Sequence, residues 1–293
     1  MDFGRLITAM ITPFDEQGKI NWPETASMIE YLIGEQKTDS LVICGTTGES
    51  PTLNEEEKLE LFAFALEKAK GRCKIIAGTG SNGTEHSIHL TREAEKLGVD
   101  GALLVVPYYN KPSQEGMYRH FEAIARSTSL PIMLYNVPSR TVASISAATT
   151  LRLAEIPNIV ATKECASIEQ VTQIASCAPA SFRVYSGDDA SALPALAVGA
   201  HGIVSVASHL IGASMKDMIE AYLNGNVAEA AKLHQKLFPV FKGLFECPAP
   251  VPNPSALKYA LNLLGHPVGG VRLPLVDPSE SEMAFIRDLV ASL

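Results

Sequence analysis

Eight short β-rich runs recur along the chain with amphipathic stretches between them, and this alternation restricts the fold more than any other feature. The runs are Leu6 to Thr12, Ser40 to Cys44, Lys74 to Gly78, Ala102 to Val106, Pro131 to Tyr135, Ile159 to Lys163, Arg183 to Gly187 and Gly202 to Val206. They are apolar at consecutive positions, as strands buried on both faces of a parallel sheet must be. The intervening segments, such as Asn54 to Lys70 and Thr84 to Leu97, are followed by Gly71 and Gly98, as helix ends prefer. Eight βα units in roughly 224 residues match an α/β fold of the (β/α)8 barrel type, the TIM barrel. A doubly wound sheet is the alternative, disfavoured by the count of eight strands.

Beyond Val206 the pattern is helical only, with stretches at Met215 to Leu223, Val227 to Phe241, Ala256 to Leu264 and Glu280 to Leu293. We therefore expect a catalytic barrel over 1–224 and a C-terminal helical appendage over 225–293. A stretch holding Pro248, Pro250, Pro252 and Pro254 lies between two of these helices and cannot itself be helical. At 293 residues and 46% hydrophobic, the chain supports a large core, and 19% charged residues argue against disorder. A formal charge of −8 lacks the basic excess of a nucleic-acid binder. No apolar run is long enough to span a bilayer, and Met1-Asp2-Phe3-Gly4-Arg5 has no signal-peptide architecture, so a cytoplasmic location is expected. The five cysteines are scattered without zinc or redox spacing and read as reduced, mostly buried thiols.

Two strand ends carry chemistry. Gly45-Thr46-Thr47-Gly48-Glu49-Ser50 follows the second strand. Its glycines permit close backbone approach and its threonines offer donors to a small anion. An ordinary strand-to-helix turn, with Ser50 or Thr52 capping the helix near Glu55, is the alternative. Lys163 ends the sixth strand, whereas most other lysines lie in solvated helical patterns. Lost solvation there disfavours the charged amine, and a neutral amine can attack a ketone to form a Schiff base. Pairing with Glu164 is the competing structural role. Tyr108 and Tyr109 follow the fourth strand, Tyr135 ends the fifth, and Gly187-Asp188-Asp189 follows the seventh. Polar signals thus gather at the carboxyl ends of the strands, where barrel enzymes place their active sites.

With these residues in view, the chain resembles the dihydrodipicolinate synthases, whose superfamily also holds N-acetylneuraminate lyase and keto-deoxy-sugar-acid aldolases. The Gly45–Ser50 loop, Pro107-Tyr108-Tyr109-Asn110-Lys111-Pro112, Tyr135-Asn136-Val137-Pro138-Ser139-Arg140-Thr141, Lys163-Glu164, Ser186-Gly187-Asp188-Asp189 and Arg272-Leu273-Pro274-Leu275 carry the resemblance. It implies condensation of pyruvate with L-aspartate 4-semialdehyde to 4-hydroxy-tetrahydrodipicolinate, on the route to diaminopimelate and lysine. Lys163 would form the Schiff base, and Tyr135, Thr46 and Tyr109 would relay protons. Thr47, Gly187 and the main chain around Val204 would line the pyruvate pocket, and Arg140 would take the semialdehyde carboxylate. Tyr109 would complete a neighbouring subunit's site in a homotetramer built as a dimer of dimers. The resemblance implies neither a cofactor nor a metal, and no nucleic-acid or membrane partner.

Some positions depart from the family pattern. Cys165-Ala166-Ser167 stands where a small residue and a glycine are usual, and residues 246–252 lengthen the approach to Asn253-Pro254. Glu55, Lys58 and His86 replace residues of lysine-inhibited relatives, so weak or absent feedback by lysine is expected, with Asn82 and Tyr108 retained. A related Schiff-base aldolase such as a sialic-acid lyase shares Lys163, Tyr135 and the glycine loop. A metal-dependent aldolase using His86 and His89 lacks an evident third ligand. A non-catalytic barrel is disfavoured by the presence of both Lys163 and Tyr135.

Overall fold

Parallel strands close on themselves in the order of the chain. The computed structural model describes residues 1–293, the side chain of Ala249 excepted. The strands are β1 Leu6–Ala9, β2 Ser40–Ile43, β3 Lys74–Gly78, β4 Gly101–Val105, β5 Ile132–Asn136, β6 Ile159–Glu164, β7 Arg183–Ser186 and β8 Gly202–Ser205. Each pairs with its successor, and β8 returns to β1 with Leu6 opposite Ile203. The (β/α)8 barrel is therefore the observed fold. Strands β5 and β6 run one residue past Tyr135 and Lys163, which sequence reading placed at the strand ends.

Alternation along each strand divides the core into two layers. Ile7, Val42, Ile76, Leu103, Met133, Tyr135, Ala161, Tyr185 and Val204 fill one apolar cluster inside the barrel. Leu6, Leu41, Ile75, Ala102, Leu134, Val184 and Ile203 belong to a second cluster, which meets the surrounding helices. The β5–β6 ladder breaks this regularity once. Ile132 pairs with Ile159 but Met133 pairs with Ala161, so Val160 is an extra residue in β6. Such a bulge shifts every later side chain by one step. Beyond it Tyr135 stands directly opposite Lys163, and both side chains share the barrel interior.

The helices flanking the barrel are α1 Trp22–Gly34, α2 Glu55–Ala69, α3 Thr84–Leu97, α4 Gln114–Arg126, α5 Pro138–Thr141, α6 Ala147–Ala154, α7 Ile168–Cys177 and α8 Ala192–Ala197. Asn54, rather than Ser50 or Thr52, caps α2, exchanging hydrogen bonds with Glu57 in a capping box. Lys70 takes the left-handed conformation that ends α2, one residue before Gly71, and Gly98 does so for α3. Ser167 caps α7 by accepting from Gln170 N at 3.1 Å, which gives this departure from the family pattern a local role.

After β8 comes α9 Ser208–Leu223, which starts earlier than the expected Met215, and the C-terminal region then holds α10 Val227–Gly243, α11 Ser255–Leu263 and α12 Glu280–Ala291. It is not purely helical: β9 Glu246–Cys247 and β10 Ala249–Pro250 pair antiparallel within the proline-rich stretch. Leu237, Phe241, Leu257 and Leu261 join the same apolar layer that covers the barrel's outer face. The region thus packs on the outside of the barrel through a shared apolar layer.

A charge network ties that region to the glycine loop. Lys258 Nζ lies 2.6 Å from Glu49 Oε1 and donates to Gly270 O at 2.7 Å. Arg272 N donates to Glu49 Oε2 at 2.9 Å, and its guanidinium forks onto both Glu57 oxygens at 2.6 and 2.9 Å. The Phe14 ring meets Lys258 at 4.1 Å and Arg272 at 4.3 Å. Burial pulls the Lys258 amine down to about 8 despite the Glu49 carboxylate beside it. Removing one partner of a buried pair strands the other charge. Lys258→Met is expected to cost about 3–5 kcal/mol in urea unfolding. Arg119→Met, at an exposed pair with Glu115, should cost below about 1 kcal/mol. Equal costs would show that the buried network contributes nothing special.

Candidate active site

The bulge in β6 and the desolvation of the barrel mouth together define the site. Lys163 is only 5% exposed, and its amine lies 4.2 Å from the centroid of the Tyr135 ring. Burial pushes its pKa below the ordinary lysine range, and the nearby Arg140 guanidinium acts the same way. Cys165 and Asp189 oppose that shift without reversing it. Glu164 does not pair with the lysine. Its carboxylate turns away to accept from Asn136 Nδ2 at 2.9 Å, Ala166 N at 2.8 Å and Gln170 Nε2 at 2.9 Å.

Tyr135 is equally enclosed. Burial raises its phenol above the usual tyrosine range, reinforced by Cys165, while a side-chain hydrogen bond with Thr46 and the Arg140 charge oppose the rise. Burial thus holds the phenol in its protonated form. Thr47 is 2% exposed, and its hydroxyl accepts from Asn253 Nδ2 at 2.9 Å. Gly187 leaves room for the amine: a Cβ there would lie 2.8 Å from Lys163 Cε and 2.3 Å from Cys165 Sγ. Val204 is fully buried in the interior layer that holds Tyr135. Asp189 gathers the end of β8, accepting from Ser205 Oγ at 2.5 Å, Val206 N at 3.1 Å and Ala207 N at 2.9 Å. Burial lifts its carboxyl to about 6.

A cavity of ≈ 490 Å³ opens along this rim. Thr46, Tyr135 and Arg140 form one part of its wall, and Lys58, Asn82, His86 and Tyr108 another; no carboxylate stands among the lining residues. Lys163, Thr47, Gly187 and Val204 lie outside that wall, and Lys163 is joined to it through the Tyr135 ring. Arg140 sits in α5 with no acidic partner among the described residues, which leaves its fork free for a ligand carboxylate. His89 and His86 face Glu55, at 2.7 and 3.8 Å.

Tyr109 is the one relay candidate that the chain does not bring to its own site. It is 90% exposed and held at φ 71°, a costly conformation for an aromatic residue. Sequence reasoning also missed several groups. Cys165, given no role, lies near Lys163, Tyr135 and Gly187. Lys258 was not singled out, although the apolar residues around it in Ser255-Ala256-Leu257-Lys258-Tyr259-Ala260-Leu261 signal burial.

Fold and site together define a barrel enzyme built around a desolvated lysine amine. The chain belongs to the dihydrodipicolinate synthetase family, whose model matches residues 2–292. It is 54% identical to the 4-hydroxy-tetrahydrodipicolinate synthase of Bacillus subtilis over 295 residues, covering 100% of both chains. A crystal structure of dihydrodipicolinate synthase from Bacillus anthracis superposes with a TM-score of 0.97 at 50% identity, covering 100% of this chain and 99% of that one. The lysine-bound enzyme of Cyanidioschyzon merolae gives a TM-score of 0.96 at 44% identity, covering 99% and 98%. Among the described residues, no helix is long and apolar enough to cross a membrane.

The space beside Gly187 yields a direct test. Gly187→Ala should push the end of Lys163 aside and slow its reductive trapping by a 2-oxo acid at least about 100-fold, with the unfolding midpoint little changed. Undiminished trapping would mean that the amine has room to spare.

Proposed function

We propose that this lyase condenses pyruvate with L-aspartate 4-semialdehyde to give 4-hydroxy-tetrahydrodipicolinate, through a Schiff base on Lys163. The observation that carries the site assignment is the amine of Lys163, desolvated and facing the Tyr135 ring at 4.2 Å. The neutral amine adds to the pyruvate ketone, and the carbinolamine loses water to leave the imine. Loss of a methyl proton gives the enamine, whose carbon attacks the semialdehyde aldehyde; the semialdehyde's own amino group then displaces Lys163 from the imine carbon, which closes the ring and frees the amine. Tyr135 donates and accepts the protons of these steps, with Thr46 beside it in the relay. Thr47 and the backbone near Gly187 and Val204 hold the pyruvate carboxylate, and Arg140 binds that of the semialdehyde. Residues 1–224 carry the chemistry, and residues 225–293 support it. No cofactor takes part, and the enzyme works in the cytoplasm.

Borohydride added with pyruvate should leave an adduct on Lys163 that Lys163→Ala abolishes. Imine formation consumes the neutral amine, so trapping should slow as pH falls through the lysine's own pKa. That acid limb should lie below the ordinary value of 10.5. Arg140→Ala should retain trapping while raising KM for the semialdehyde. An adduct on another lysine would overturn the assignment, and an acid limb at an ordinary lysine pKa would overturn the desolvation argument.

The exposed, strained Tyr109 supports a site shared between subunits of a homotetramer, organised as a dimer of dimers. In that arrangement Tyr109→Phe and Lys163→Ala homomers are both nearly inactive. A mixed dimer carrying one change per chain has one doubly defective site and one intact site, so about half of the activity should return. A verified heterodimer without rescue would show that Tyr109 does not serve its neighbour.

A further inference from the structure

We propose that Asn253 is a positioning residue for the keto-acid carboxylate, acting through the hydroxyl of Thr47. The inference rests on the reading of Thr47 as a carboxylate ligand. An amide N–H can only donate, so the contact from Asn253 Nδ2 at 2.9 Å makes Thr47 Oγ1 the acceptor. The hydroxyl has one hydrogen, and this contact leaves it available for an incoming carboxylate oxygen. Without the amide, the hydroxyl is free to rotate and to point a lone pair at the anion instead. Both residues are buried, Thr47 at 2% and Asn253 at 7% exposure, so water is poorly placed to substitute.

The proline-rich stretch is built to deliver this one side chain. Upstream, Val251 N donates to Phe245 O at 3.0 Å and the Val251 side chain is buried. Downstream, Ser255 N donates to Pro252 O at 2.9 Å, and Lys258 is locked against Glu49, two residues from Thr47. Asn253 is thus held from both sides, and its target lies 206 residues away in the chain. Residues 246–252 form the arm that carries Asn253 to the barrel mouth.

Two substitutions separate orientation from simple packing. Asn253→Ala removes the donor, and Asn253→Asp replaces it with a group of the same shape that only accepts when ionised. The aspartate would draw the Thr47 hydrogen toward itself and place a like charge near the substrate carboxylate. We expect KM for pyruvate to rise about tenfold in Asn253→Ala and further in Asn253→Asp, with kcat and KM for the semialdehyde within about twofold. Thr47→Val should raise the pyruvate KM by itself, and adding Asn253→Ala to it should do little more. If Thr47→Val leaves the pyruvate KM unchanged, the reading of Thr47 is wrong and the inference falls with it. If Thr47→Val raises it but neither Asn253 variant does, only the inference falls. Loss of kcat together with a lowered unfolding midpoint in both Asn253 variants would assign Asn253 a merely structural role and overturn the proposal.

Discussion

One extra residue in one strand governs the active site. A regular ladder continued from the Ile132–Ile159 pair would set Tyr135 against Thr162 and turn Lys163 to the outer face of the barrel. Val160 takes up that step, so the phenol and the amine face each other inside. Everything else at the mouth serves this pair. Gly187 clears space for the lysine stem, Glu164 is drawn off by Asn136 and Gln170, and Asp189 fixes the adjoining end of β8. Had Glu164 turned inward, an adjacent carboxylate would have favoured the charged amine and removed its nucleophilicity.

What the sequence disclosed follows from how locally each feature is encoded. Consecutive apolar residues mark a buried parallel strand wherever they occur, so the eight strands were legible, as was the lysine at the end of one of them. The bulge was not, because Val160 is a β-branched residue in a β-branched run, with no glycine or proline to mark the irregularity. The cap of α2 was misplaced for a similar reason: Ser50, Thr52 and Asn54 are all able caps, and only the reciprocal bond with Glu57 decides among them. Ser167, read as a departure from pattern, proved to be a helix cap. The contacts of Asn253, Lys258 and Arg272 span more than two hundred positions, beyond any local pattern.

The electrostatics act at two scales. A chain of formal charge −8 repels anionic molecules at a distance, but salt screens that repulsion beyond about 8 Å at physiological ionic strength. Near the mouth the balance reverses, since Lys58 and Arg140 line the cavity and no carboxylate does. Lys58 is itself partly desolvated, which lowers its pKa. The acidic groups nearby are spoken for: Glu57 by Arg272, Glu49 by Lys258 and Glu55 by the histidines.

The glycine loop holds Thr47 and Glu49, and the groups that fix them arrive very late in synthesis. Asn253 follows Thr47 by 206 residues, and Arg272 follows Glu49 by 223. At roughly 5–20 residues per second, a ribosome needs on the order of 10–45 s to supply those partners after the loop has emerged. Throughout that interval Glu49 lacks the two groups that meet it in the finished fold, Lys258 and the Arg272 N–H. The nascent barrel therefore passes through most of its translation without a finished anion site. A chain released after Val204 but before Asn253 would carry every residue proposed to touch substrate and still lack Asn253, Lys258 and Arg272, the groups that fix the loop.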